Sequence, residues 1–113
     1  MSKYHNRKIT ADGYTFDSKA EYAHYCTLRL LERAGEITNL EVHPRYLLQP
    51  AFKYHGKSER AIYYESDFEY VDVASGKRVV VDVKGVRTDV FKLKRKLFLA
   101  KYGDQYQFEE IAA

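Results

Sequence analysis

Two kinds of hydrophobic spacing alternate along the chain. Apolar residues recurring every three or four positions predict helices, and apolar residues alternating with polar ones predict strands. Ser18-Lys19-Ala20-Glu21 matches a capping box and begins a first helix, which Gly35 stops. At about 100° per residue, Ala20, Ala23, Cys26, Thr27, Leu28, Leu30, Leu31 and Ala34 form one broad arc expected to be buried. Glu36 to Phe52 reads as extended, with Leu40, Val42, Tyr46 and Leu48 alternating with Glu41, His43, Arg45 and Gln49. Pro44 inside that stretch requires an edge position, a bulge or a break. Tyr54 to Arg60 reads as a hairpin loop leading into a strand over 61–73, and a further strand over 77–84 follows. Thr88 caps a second helix, Asp89 to Tyr102, closed by Gly103. Its apolar arc holds Val90, Phe91, Leu93, Leu97, Phe98, Ala100 and Tyr102, and Lys92, Arg95 and Lys96 share the opposite face. Lys94 and Lys101 fall within the apolar arc, where they either snorkel or approach a site. A last strand runs from Gln105 to Ile111, and residues 1–15 read as a basic arm or short irregular strand turning at Asp12-Gly13. The order αβββαβ predicts one α/β (α+β) domain over residues 1–113, a mixed four-stranded sheet flanked by helices.

The stretch from Asp67 to Lys84 carries the chemistry. If Ser75-Gly76 is a two-residue hairpin loop, Ala74 pairs with Lys77, Asp67 lies opposite Lys84, and Glu69 lies opposite Asp82. Alternation then puts Asp67, Glu69, Asp82 and Lys84 on one face, and Phe68, Tyr70, Val79, Val81 and Val83 on the other. Three carboxylates on one face repel across strands, a conflict that a hard divalent cation would remove. The competing reading is a solvated face with ordinary charge pairs. Glu21 lies at the edge of the first helix's arc, where it is either a capping residue or an extra metal ligand reaching the hairpin. His24 points into that arc as a core or boundary histidine.

Composition narrows the class. Over 113 residues, 45% are hydrophobic and 31% charged, as in a globular domain without disorder bias. Eleven Tyr and six Phe against no Trp predict a core built on rings. Cys26 is the single cysteine, so no intramolecular disulfide forms, which suits a reducing cytoplasm. Neither a signal peptide nor an apolar run near 18 residues is present, so export and membrane insertion are not expected. Net charge is only +3 but uneven. Lys3, Arg7 and Lys8 open the chain without an acid, and residues 84–101 hold seven bases against Asp89 alone. Such clustering is the footprint of a polyanion partner.

The element order, with Asp67 on one strand and Asp82-Val83-Lys84 on the next, resembles the core of the PD-(D/E)XK nuclease superfamily. Phe16-Asp17-Ser18-Lys19-Ala20-Glu21, Tyr64-Glu65-Ser66-Asp67-Phe68 and Val81-Asp82-Val83-Lys84-Gly85 are similar to a family of small phage-encoded endonucleases, Holliday-junction-resolvase-like, assigned to it. Ser66 stands where proline is common before the first acid, and Asp82 where glutamate is common. The resemblance implies a restriction-endonuclease-like fold and a metal-dependent endonuclease. Asp67, Asp82, the Val83 carbonyl and Glu21 would hold Mg²⁺, with Mn²⁺ able to substitute. Lys84 would hold the attacking water, completing a catalytic set of Glu21, Asp67, Asp82 and Lys84, with Glu69 as a further ligand or base. Arg7, Lys8, Arg87, Lys92, Arg95 and Lys96 are candidate phosphate contacts to DNA. The absence of a specificity module favours branched DNA, such as a Holliday junction in phage-type recombination or replication. Cutting two strands implies a homodimer in a bacterial cytoplasm, with no membrane and no small-molecule cofactor. A non-catalytic nucleic-acid-binding module and an RNA nuclease are the alternatives.

Overall fold

The computed structural model of the protein describes residues 7–113. Of the arm expected over 1–15, residues 1–6, including Lys3, lie outside the described residues. The rest is a hairpin, β1 (Ile9–Ala11) and β2 (Tyr14–Phe16), turning through Asp12 and Gly13, both at positive φ. Helix α1 (Lys19–Arg33) follows, capped by Ser18, whose hydroxyl accepts the Glu21 N–H at 3.1 Å. It ends in a Schellman motif: Gly35 sits at φ +78°, and the Glu36 N–H reaches back to the Leu31 carbonyl.

The four-stranded sheet has the order β10 (Gln107–Ala112), β9 (Arg78–Lys84), β8 (Phe68–Asp72), β3 (Ile37–Val42). β10 runs parallel to β9 and the other neighbours are antiparallel, so the sheet is mixed, as expected. Helix α2 (Asp89–Tyr102) connects β9 to β10, capped by Thr88. α1 covers one face, packing Tyr25 and Leu28 onto Phe68, Val79 and Val81. α2 serves the other, setting Phe91 and Phe98 with Val80, Tyr46 and Tyr64. Phe68 and Phe98 are fully buried. Truncating either to Ala would cost roughly 3–5 kcal/mol.

Where the sequence predicts one strand over 61–73, the chain makes two, β7 (Ile62–Glu65) and β8, separated by Ser66-Asp67. The partner strand breaks opposite, between β3 and β4 (Arg45–Gln49), at His43-Pro44. Pro44 has no N–H to extend the ladder and His43 turns at φ +56°, so both strands bend together. The bend remains bonded, His43 N–H to the Asp67 carbonyl at 2.9 Å and Ser66 N–H to that of Pro44 at 3.1 Å. Beyond it β4 and β7 form a separate ribbon. The expected loop over 54–60 is instead a tight hairpin, β5 (Phe52–Tyr54) and β6 (Lys57–Glu59), with His55-Gly56 at positive φ as its two-residue turn.

Both helical arcs are rotated from expectation. On α1 Tyr25, Leu28 and Glu21 are buried, while Ala23, Cys26, Thr27, Leu30 and Ala34 are exposed. Small residues offer little area, and the tyrosine ring dictates which stripe faces the sheet. On α2 Phe91 and Phe98 go inward and Val90, Leu93 and Leu97 stay exposed. Lys101 and the Tyr102 hydroxyl both donate to the Leu47 carbonyl, at 3.0 and 2.7 Å, beside a bulge in β4.

Candidate functional site

The β8–β9 register differs from the sequence expectation by two residues. Asp72 closes a four-residue loop: its carboxylate accepts the Ser75 N–H and hydroxyl, and its backbone pairs with Lys77. A two-residue Ser75-Gly76 turn would forfeit those bonds. Phe68 therefore pairs with Val81, and at the bend just before it the Asp67 N–H also donates to the Val81 carbonyl, at 3.1 Å, so that Asp67 comes under the charge of Asp82. A slip of two leaves the side chains within the ladder on their expected faces, so Glu69, Asp82 and Lys84 still share one side. What changes is the neighbour: two carboxylates now lie near each other at the bend.

Around that bend five further groups converge. Glu21 projects from the first turn of α1, 3% exposed, with its carboxylate 3.4 Å from the Asp17 N–H. His43 Nε2 lies 2.7 Å from Glu21 Oε1. An ionised carboxylate can only accept, so the ring nitrogen carries the hydrogen. Donor atoms of Glu21, His43 and Asp67 all lie within 4.8 Å of one another. The Val83 N–H donates to Asp67 Oδ2 at 2.6 Å. The Tyr64 hydroxyl donates to Asp82 Oδ2. Lys84 Nζ approaches Asp82 Oδ1 to 2.9 Å, but that buried oxygen has no aligned hydrogen-bond donor. The same ammonium lies 4.6 Å from the centre of the Phe91 ring.

The electrostatics follow from this crowding. Burial first, then the nearby Asp82 charge, push the Asp67 carboxyl up to about 8; the Val83 N–H and Lys84 oppose that shift and Glu21 adds to it. Burial and the Asp82 carboxylate raise the Tyr64 hydroxyl far above its ordinary value, so it serves only as a donor. A divalent cation fits this donor set on two observations. Asp82 Oδ1 is buried without an aligned donor, and the negative charge around Asp67 exceeds what Lys84 alone offsets. Oxygen donors suit a hard cation such as Mg²⁺ or Mn²⁺.

Sequence reasoning brought Glu21, Asp67, Asp82, Val83 and Lys84 to this point and missed His43 and Tyr64. The signal for His43 was present in the His-Pro pair inside an otherwise extended stretch. Tyr64 was one of eleven tyrosines, with nothing local to single it out. Glu69 lies elsewhere: it accepts from the Tyr46 hydroxyl at 2.6 Å and from Arg78 at 3.2 Å. It lines a cleft of about 1050 Å³ with Tyr46, Arg78 and Tyr106, which does not include Asp67 or Asp82. His24 is half-buried with its ring 5.7 Å from that of Phe68, and burial lowers its pKa. Of the candidate phosphate contacts, Arg7, Lys8, Lys92 and Lys96 are exposed. Arg87 and Arg95 are engaged with Glu110, at 2.7 and 3.5 Å. Lys94 is half-buried in a groove with Arg45 and Glu65.

No helix among the described residues is long and apolar enough to cross a membrane. No curated protein and no solved structure matches the chain. One family model does, over residues 1–110, and by that match the chain belongs to DUF1064, described as a protein family of unknown function.

Proposed function

We propose that the chain is a metal-dependent endodeoxyribonuclease with a restriction-endonuclease-like core. The observation that carries this reading is the Asp67–Asp82 pair at the bend, with Lys84 on one side, Glu21 on the other and a buried carboxylate oxygen lacking an aligned donor. The sheet order β10-β9-β8-β3 with a helix on each face fits the element order of that core.

Asp67, Asp82, Glu21 and the Val83 carbonyl would hold Mg²⁺ or Mn²⁺. The bound cation would supply charge neutralisation at a phosphoryl oxygen and acidify a water. Tyr64 fixes one oxygen of Asp82, and His43 orients Glu21, as outer groups commonly do for ligating carboxylates. Lys84 would hold the attacking water and offset charge developing on the phosphate. Arg7, Lys92 and Lys96 are exposed and would meet the phosphate backbone, as would Lys8, which is exposed but lies 3.8 Å from Asp17; these contacts suit DNA recognised by shape. Paired cuts in a junction would require two such sites and hence a homodimer, in a phage-type recombination or replication role in a bacterial cytoplasm.

The deciding experiment is cleavage of a labelled four-way junction, a flap and a linear duplex with Mg²⁺, Mn²⁺ or EDTA. Wild type and Lys84→Ala are compared. Metal-dependent cuts that fall roughly a hundredfold or more in the variant are expected. The second reading, a non-catalytic binding module, is favoured by one feature: Lys84 already sits on Asp82. Shifted but uncut junctions, with no calorimetric Mg²⁺ or Mn²⁺ binding, would establish it instead.

A further inference from the structure

Beyond the bend the β5–β6 hairpin stands apart from the core. Among the described residues it pairs with no third strand, and every residue from 51 to 60 is exposed. Phe52 and Tyr54 are 46% and 64% exposed and, two residues apart on β5, share one face. Tyr54 carries the His55 ring edge-on at 4.2 Å, and Lys57 is its cross-strand partner. Lys53 occupies the other face, and Arg60 follows β6, so the segment holds Lys53, Lys57 and Arg60 against Glu59 alone. An unpartnered hairpin tip could be expected to shed exposed rings for polar residues. Cations by themselves would answer a phosphate backbone. The two rings require something with a free π-face.

We infer that this hairpin is the element that selects DNA structure, Phe52 and Tyr54 stacking on unpaired bases while Lys53, Lys57 and Arg60 hold the adjoining phosphates. The inference rests on the nuclease reading and deepens it. In intact duplex every base face is covered by its neighbours; at a flap, a gap or a branch it is not. Stacking on aromatic side chains is indifferent to base identity, so such a hairpin would select structure rather than sequence. Reach is adequate. From Arg45 to Tyr54 the strand path spans at most about 33 Å, within one helical turn of duplex, about 34 Å. The bend that assembles Asp67 with Asp82 also launches this ribbon, so the position of one is tied to that of the other.

The test measures fluorescence-anisotropy affinity in EDTA, so that no strand is cut, for a single strand, a flap and a fully paired duplex of equal length. Phe52→Ala/Tyr54→Ala should weaken the first two by roughly tenfold or more per ring and leave the paired duplex within about threefold. Phe52→Tyr/Tyr54→Phe, which keeps both rings, should retain wild-type preference, and matching circular-dichroism melts would establish that the hairpin remains formed. Equal binding of all three DNAs by wild type would overturn the proposal, as would a uniform loss in the Ala variant, which would make the hairpin a plain phosphate contact. Cleavage of the same DNAs by wild type in Mg²⁺ separates the two readings. An inactive wild type whose preference still depends on Phe52 and Tyr54 would sink the nuclease and keep the stacking hairpin.

Discussion

Glu69 and Asp82 are neighbours on adjacent strands, and local chemistry treats them alike. Both are buried, both accept a tyrosine hydroxyl, and both have a cation within 3.2 Å. Their remaining surroundings differ. Each Glu69 oxygen has its own donor, Tyr46 on Oε1 and Arg78 on Oε2, and Arg78 is itself held by the Tyr106 hydroxyl at 2.8 Å. Asp82 leaves one oxygen without an aligned donor and lies near Asp67, which in turn lies near Glu21. One carboxylate has an aligned donor on each oxygen, and the other has one on Oδ2 and only the Lys84 ammonium beside Oδ1. Satisfaction, rather than burial or charge, distinguishes the two acids, and on the proposed function it separates a structural acid from a metal ligand.

The largest effect expected from that difference is on activity. Asp82→Asn preserves shape and an acceptor for Tyr64 but removes a ligand charge, and cleavage should fall by about 10³-fold or more. Calorimetric Mg²⁺ binding should vanish with it. Glu69→Gln, the same change one position over in the sheet, should stay within about tenfold of wild type. Equal losses in the two variants would erase the distinction.

The second test is pH. The Asp67 carboxyl is raised to about 8 from its ordinary 3.8. Between those values the folded metal-free protein binds more protons than the unfolded chain, so its stability falls as pH rises from about 4 to about 8. Holding a cation requires the ionised form, so stabilisation by Mg²⁺ should grow over the same interval. Urea midpoints at pH 5 and 8, in EDTA and in Mg²⁺, measure both trends, and Asp67→Asn should flatten the EDTA slope. A midpoint in EDTA that climbs with pH, after correction by that variant, would mean Asp67 is not held against a second charge.

How much of this was visible in the chain differs by scale. Alternation in 67–84 placed Glu69, Asp82 and Lys84 on one face even though the register slipped, because a slip of two preserves faces within the ladder; Asp67 lies in the bend outside it. Caps located both helices, since Ser18, Gly35 and Thr88 act on backbone within a few residues. What failed depends on distant partners. The Asp72 side chain, not the Ser-Gly dipeptide, sets the loop length. Tyr25 turned α1 by competing with smaller residues for the sheet. His43 and Tyr64 reach the site because two strands bend at one level, a coincidence of Pro44 with Ser66-Asp67 that pairing creates and local sequence does not encode.

Stability should reverse the ranking seen in activity. Glu69→Ala strands the buried Tyr46 hydroxyl, whose proton burial and Glu69 hold firmly, and should cost roughly 2–3 kcal/mol in urea unfolding. Asp82→Ala in metal-free protein should cost less, because losing the bond to Tyr64 is offset by relief of its repulsion with Asp67.

The smallest effect isolates the cation beside Glu69. Arg78 is about half exposed, so water already screens most of its attraction to Glu69. Arg78→Ala should cost only about 0.5–1 kcal/mol, part of it from losing the Tyr106 ring that the guanidinium covers at 4.4 Å. A double-mutant cycle with Glu69→Gln measures the coupling directly. Coupling of a few tenths of a kcal/mol would assign the stability of this cluster to the buried Tyr46–Glu69 bond. Coupling above about 2 kcal/mol would mean that Glu69, like Asp82, depends on a nearby positive charge, and the contrast between the two carboxylates would then be one of which cation each holds.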